Sequence, residues 1–259
     1  MNAKYRLIPG CALLLAAATA PAKAQTIITD RPDFTESTAT VPQGRFQLEA
    51  GYTYSTVGDL TAHEIGEGLI RYGLIPGLEL RIGVPSFVSL SVDDAPADAD
   101  GESGFADASL GLKLGLYESG IAEGLPSLSI LLGSGIPTGS EEVGGADGWE
   151  PEAIVALSWA FTPTLSLGAN MGYAQRVVGD FRYDETFGSV AAGFPLFGAM
   201  SGFIEYFGIR PEEDSDESYV DGGITYLLSP TFQLDARVGM GVGDSEDAMF
   251  FGVGLAKLF

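Results

Sequence analysis

The stretch GRFQLEAGYTYS, Gly44 to Ser55, puts Phe46, Leu48, Ala50, Tyr52 and Tyr54 at every second position, with Arg45, Gln47, Glu49, Gly51, Thr53 and Ser55 between them. Successive side chains of a strand point to opposite faces, whereas a helix would gather apolar residues every third or fourth position, so this is a strand with one apolar face. The same period returns in LELRIGV (78–84), ADASLGLKLGL (106–116) and TFQLDARVGMGV (231–242). Twelve such segments follow one another, at about 44–56, 64–75, 78–92, 105–117, 126–137, 149–161, 164–177, 185–195, 199–210, 218–228, 231–243 and 248–259. Most reach the roughly 9 to 11 residues that a tilted strand needs to cross a bilayer.

The connections alternate as well. One set is polar and acidic: VGDLTAH, DDAPADADGESG, TGSEEVGGADG, VGDFRYD, PEEDSDE and DSED. The other set is tight and carries turn residues, as at Pro76-Gly77, Thr162-Pro163, Phe194 to Gly198 and Ser229-Pro230, with 118–125 the longer exception. Membrane barrels have short periplasmic turns and longer outer loops. The expectation is an all-β fold, a transmembrane antiparallel up-and-down barrel of about 12 strands over residues 44–259, with ten or fourteen strands as alternatives. A soluble sandwich of short strands is the competing fold. Trp149 and Trp159 share a parity ten residues apart, as two girdles would require.

Residues 1–24 read as a secretory signal peptide, with Lys4 and Arg6 ahead of an apolar run and small residues at Ala22 and Ala24. Cys11, the only cysteine, lies inside it, so the exported chain would hold neither a disulfide nor a thiolate site. Export would also remove Lys4, Arg6 and Lys23, leaving ten basic residues against 35 acidic ones, a charge of −25. That excess argues against nucleic acid as a partner. Disorder is excluded by the 46% hydrophobic content. Residues 25–43 are expected as an ordered periplasmic lead-in to the first strand, and entry of Asp30-Arg31-Pro32-Asp33 into the lumen is the alternative.

Thr29 to Ser55 (TDRPDFTESTATVPQGRFQLEAGYTYS), Leu69 to Pro85 and Gly104 to Leu116 resemble successive blocks of a family of outer-membrane transporters labelled as the MetA pathway of phenol degradation. The resemblance implies a barrel, an outer-membrane location and, more weakly, transport. Phe259 resembles the C-terminal signal that delivers such barrels to the assembly machinery, with Lys257 a departure from its apolar alternation. Outer-membrane lipids and lipopolysaccharide are the other expected partners, with a small-molecule solute of unknown identity.

Lipid-facing charge would cost roughly 2 to 4 kcal/mol per Arg or Lys at mid-bilayer, so the charged residues of the strands belong inside. The candidates to line the lumen are Arg45, Glu49, Glu67, Arg71, Glu79, Arg81, Asp107, Lys113, Arg176, Glu205, Asp221, Asp235 and Arg237. They would either fill the lumen as ion pairs or line a path. Around Glu205 the expectation is a parity shift or bulge; if instead Glu205 points inward, Phe203 and Phe207 point inward with it and form an aromatic patch. His63, the only histidine, lacks a motif joining it to Ser55 or Ser91, so a lipid hydrolase is the weakest reading and no catalytic set is assigned. The acidic loops Asp93 to Glu102 and Glu212 to Glu217 lack the ligand spacing of a dedicated calcium site. No cofactor or metal is expected. The functional expectation is a channel for small, aromatic or apolar molecules, against a structural or adhesive barrel whose filled lumen conducts nothing.

Overall fold

The computed structural model describes residues 26–92, 101–121, 124–212 and 215–259. The expected leader lies outside them, as do residues 93–100 and 213–214 of the two acidic loops. The strands are β1 (Phe46–Val57), β2 (Leu60–Ile75), β3 (Leu78–Val84), β4 (Phe87–Val92), β5 (Ser103–Phe105), β6 (Ala108–Tyr117) and β7 (Ser127–Ile136). The second half comprises β8 (Glu150–Thr162), β9 (Leu165–Val178), β10 (Phe181–Pro195), β11 (Met200–Pro211), β12 (Glu217–Ser229), β13 (Phe232–Gly241) and β14 (Ala248–Leu258). All pairings between these strands are antiparallel, and β1 pairs with both β2 and β14, so the sheet closes into a barrel in which, among the described residues, only the short β5 is paired by a strand on one side alone. β3 and β4 lie end to end along β2, and β5 and β6 continue the next stave in the same way, so fourteen segments form twelve staves.

Two expected loops are strand instead. β2 starts at Leu60 and β10 at Phe181, leaving only Gly58-Asp59 and Gly179-Asp180 as turns. Gly58 and Gly179 sit at φ 56° and 60°, the left-handed backbone that two-residue hairpins need, so the chain reverses before the polar residues rather than across them.

Outward positions form the apolar band. Val155 and Phe161 on β8, Val238 and Met240 on β13, and Met249, Phe251, Val253 and Leu255 on β14 are all exposed. An exposed apolar surface of this extent is what a barrel presents to lipid. Trp149 and Trp159 both face outward on the β8 parity. Lys257 interrupts the β14 row, and its ammonium bends toward the turn end to reach Thr231 Oγ1 at 2.9 Å, lying over the Phe232 ring.

Three neighbouring staves break their alternation at one level. The bulge at Gly66-Glu67 in β2 faces Pro85-Ser86 between β3 and β4, which in turn faces Ala106-Asp107 between β5 and β6. Proline cannot donate to the ladder, and Glu67 at φ 25° is held in a backbone region costly for a residue with a Cβ. The bulge turns Glu67 inward on the same parity as Arg71, where it pairs with Arg31.

Candidate functional site: the plugged lumen

Residues 26–42, expected as a lead-in below the barrel, instead run inside it. The correction has an electrostatic cause: Asp30, Arg31 and Glu36 each find an oppositely charged partner on the inner wall. The segment enters at the end with short turns, where the Ile27 amide donates to Pro230 O at 2.7 Å. It crosses toward β10 and β11, where the Thr35 hydroxyl is 2.7 Å from that of Ser189. It then returns past β8, β7 and β6 and leaves beside β2, where the Gly44 amide donates to Gly73 O. Glycines on the wall make room for it: a Cβ on Gly51 would lie 2.2 Å from the Arg31 guanidinium, and one on Gly73 2.2 Å from Pro42 O.

On the arc formed by β2, β3 and β6 the plug is locked by a dense ionic lattice. Arg71 and Lys113 are completely buried. Arg71 reaches Glu79 at 2.7 Å, Glu49 at 2.9 Å and Asp30 at 3.0 Å. Lys113 meets Asp30 at 2.8 Å, and Arg81 meets Glu36 at 2.8 Å. Glu79 also accepts the Val41 amide, and Glu49 accepts those of Asp30 and Arg31. Burial pushes the Asp30 carboxyl up, but Arg71, Lys113 and Arg81 together outweigh it and hold Asp30 well below the usual carboxylate range. Glu36 moves the other way, pushed up to about 7 because burial and the neighbouring Asp30 overcome Arg81 and Lys113.

On the β10 and β11 arc the contact is aromatic and amide-based. Both flanks of β11 pair in continuous register, so the expected parity shift is absent, and Phe203, Glu205 and Phe207 all point inward and are buried. Glu205 accepts the Phe34 amide at 2.7 Å, the Thr35 amide at 2.8 Å and the Thr35 hydroxyl. The Phe34 ring stacks on Phe207 at 4.5 Å and meets Phe187 edge-on, and Phe207 continues the stack to Tyr219.

Most candidate residues therefore face the lumen, but their roles divide. Glu49, Arg71, Glu79, Arg81 and Lys113 form the lattice, Glu67 and Asp235 pair with Arg31, and Glu205 binds the tip of the plug. Arg176 sits nearer the loop end between Glu150, Glu152 and Glu185. Asp107 accepts the amides of Thr138, Gly139 and Ala146 and so folds the β7–β8 loop against the mouth. Asp221 and Arg237 lie on adjacent staves with no ion pair at bonding distance among the described residues. Arg45 is the exception: its guanidinium donates to Phe259 O at the rim, because it precedes the first ladder pair and marks the end of the barrel. His63 faces outward, its Nδ1 2.9 Å from the Tyr52 hydroxyl.

The plug residues were missed as site residues, although TDRPDFTE carries an unusual density of charge ahead of the first strand. Cavities lie against the plug on more than one side, including one of about 610 Å³ beside Thr38 to Gln43 and the β6–β7 turn and one of about 250 Å³ beside Glu36 and Arg81, but two others share Asp33 in their lining. The one toward the loops, about 360 Å³, is lined by Phe34, Phe187, Ile154 and Ile209 together with Asp33, Arg176 and Arg237. The one toward the turns, about 540 Å³, is lined by Arg31, Pro32, Phe203, Thr225, Gln233 and again Asp33. Burial, together with Glu205 and Asp221, raises the Asp33 carboxyl well above its ordinary value.

Solved structures share this architecture. The COG4313 outer membrane channel from Pseudomonas putida F1 aligns with a TM-score of 0.66 at 14% identity, over 88% of this chain and 99% of that one. The NanC porin aligns with a TM-score of 0.55 at 10% identity, covering 81% of this chain and 98% of its own. The KdgM porin, solved in complex with disordered oligogalacturonate, gives 0.50 at 12%, covering 81% and 98%. At these identities the likeness is one of fold. Among curated proteins no sequence matches this one. The family model described as "Putative MetA-pathway of phenol degradation" matches residues 29–258, which span most of the plug and the whole barrel wall, and the chain belongs to that family.

Proposed function

We propose that the protein is an outer-membrane channel of low conductance for small solutes, narrowed by its own N-terminal segment. The observation that carries this reading is the pair of cavities, about 360 and 540 Å³, that approach the plug from opposite mouths and meet at Asp33. Phe34, Phe187, Ile154 and Ile209 give the loop-side cavity an apolar wall, while Asp33 and Arg237 supply polar groups, a combination suited to small aromatic molecules. With the short turns periplasmic, the plug enters from the periplasm and the acidic loops face outward. The outward band contacts lipid and lipopolysaccharide, and the C-terminal strand, whose Phe259 stacks on Phe46 at 4.5 Å, is the element offered to the assembly machinery.

A second reading, a structural barrel that conducts nothing, is favoured by the dense lattice around Arg71. Planar-bilayer recording of the purified protein separates the two. The channel reading expects small, weakly cation-preferring currents, strongest in preference at low salt, and a large rise on deletion of residues 26–41. Silence from both forms would overturn it and favour the structural barrel.

A further inference from the structure

The lumen is unevenly satisfied. Among the described residues, the buried side-chain atoms that meet no protein hydrogen-bonding partner are Arg31 Nε, Thr53 Oγ1, both oxygens of Asp221, Asp235 Oδ2 and Arg237 Nε. All belong to the plug's Arg31 or to three staves, β1, β12 and β13, and none to the arc of β2, β3 and β6. Asp221 and Asp235 are only 5% and 6% exposed, so neither is a surface carboxylate. Buried polar atoms without a protein partner are rare, and a cluster of them marks a place that water or an ion must satisfy.

The register puts these atoms between the two cavities. Asp221 lies opposite Glu205 on one side and Gly239 on the other, Gly223 opposite Arg237, and Thr225 opposite Asp235. Descending β12 and β13 from the loop end, the order is Asp221, Arg237, then Asp235 beside Thr225, and last Gln233. Arg237 lines the loop-side cavity and Thr225 and Gln233 the turn-side one, while Asp33 lines both. Glycines keep the wall low beside this line: a Cβ on Gly252 would come within 3.2 Å of both Arg237 Cγ and Thr53 Oγ1.

We propose that the conducting path runs along one side of the plug only, between it and β12–β13, as a hydrated seam through Asp33, Asp221, Asp235 and Arg237 that admits water and small cations in preference to anions. The seam rests on the channel reading above and adds its location and its selecting residues. Leaving aside Asp33, whose carboxyl binds its proton more tightly than usual, the three carboxyl groups of Glu205, Asp221 and Asp235 outnumber the guanidiniums of Arg31 and Arg237, so the seam is acidic on balance. The Glu205 charge is bound by amides and a hydroxyl rather than by a cation, and it contributes to the field.

The test uses the full exported chain, whose expected form lacks cysteine, with single cysteines introduced by Thr53→Cys in the seam and Ser129→Cys on the sealed arc. Ser129 is completely buried and its hydroxyl donates to Thr38 O, so it provides the contrast. A small cationic methanethiosulfonate should modify Thr53→Cys and reduce its current, leaving Ser129→Cys unmodified. In bilayers, Asp221→Asn, which neutralises a carboxylate without a donor, should lower the cation-to-anion permeability ratio about threefold, the effect of removing roughly one kT of local attraction. Arg237→Gln should raise it. Currents that ignore both charge changes, or modification of Ser129→Cys in place of Thr53→Cys, would overturn the seam while leaving a channel. If no form conducts, the channel reading fails, and thiol modification still decides whether the seam is wet.

Discussion

The arc of the lumen built by β2, β3 and β6 and the arc built by β12 and β13 both carry buried charge, yet only the first is fully paired. Arg71, Arg81 and Lys113 each meet two or more carboxylates within 3.3 Å, and the plug supplies Asp30 and Glu36 to complete the set. Across the lumen, Asp221 has no donor, and Asp235 keeps one oxygen unpaired beside a 3.5 Å contact to Arg31. A buried charge is tolerable when its partners surround it and costly when they do not. The difference teaches that the first arc anchors the plug, while the second leaves polar groups for whatever passes.

The comparison breaks most visibly at Lys113. Lys113→Met removes one of the cations that Asp30 and Glu36 share, leaving Arg71 and Arg81 to hold them, and removal of one partner from a buried pair costs up to about 3–5 kcal/mol. We expect a lower temperature for the heat-modifiable gel shift together with higher conductance as the plug unseats. Asp221→Asn, in contrast, should leave that temperature unchanged or raise it. Equal destabilisation by the two would erase the distinction between the arcs.

A smaller effect is expected at the aromatic contact. Phe34→Ala gives up the Phe207 stack and the Phe187 edge contact, each worth about 1 kcal/mol beyond area burial. The N-terminal segment should become more sensitive to protease added from the turn side, and binding of small aromatic probes to the loop-side cavity should weaken. Retention of full probe affinity would remove Phe34 from the solute wall.

The smallest effect concerns pH. Glu36, raised to about 7, and Asp33, also raised, bind protons more tightly in the docked plug than they would in a released one. Docking therefore strengthens as pH falls from 8 toward 5, across the interval between their raised and ordinary values. Asp30 is shifted downward, so its contribution is constant over that interval and is lost only in stronger acid. Protease protection of residues 26–42 should be greater at pH 5.5 than at pH 8, and the reverse order would contradict the assignment for Glu36.

The barrel was legible because an alternating stave has one chemical solution in a membrane: apolar residues outside and charges inside. That logic located β1, β3, β6 and β13 and the inward set from Glu49 to Arg237. It failed where local backbone geometry decides. Gly58-Asp59 and Gly179-Asp180 are long enough to reverse the chain, so adjoining polar residues became strand rather than loop. At Glu205 the sequence reads as a conflict between a charge and two phenylalanines on one face. The structure resolves it with Thr35 and Phe34, supplied from 170 and 171 residues away in the chain. A partner so remote leaves no local periodic signal, and the same holds for the plug, whose partners lie on distant staves.

The N-terminal segment enters beside Pro230 and leaves beside Gly73, both at the turn end, so it is a bight rather than a thread. Among the described residues no part of it passes from one mouth to the other, and drawing residues 26–42 out requires no chain to be pulled through the ring closed by β1 and β14. Closure of the wall and seating of the bight can therefore occur in either order. A force applied from the turn side would peel the contacts one after another rather than load them all together, so the same bonds that hold firmly at rest would yield to a comparatively small sustained pull.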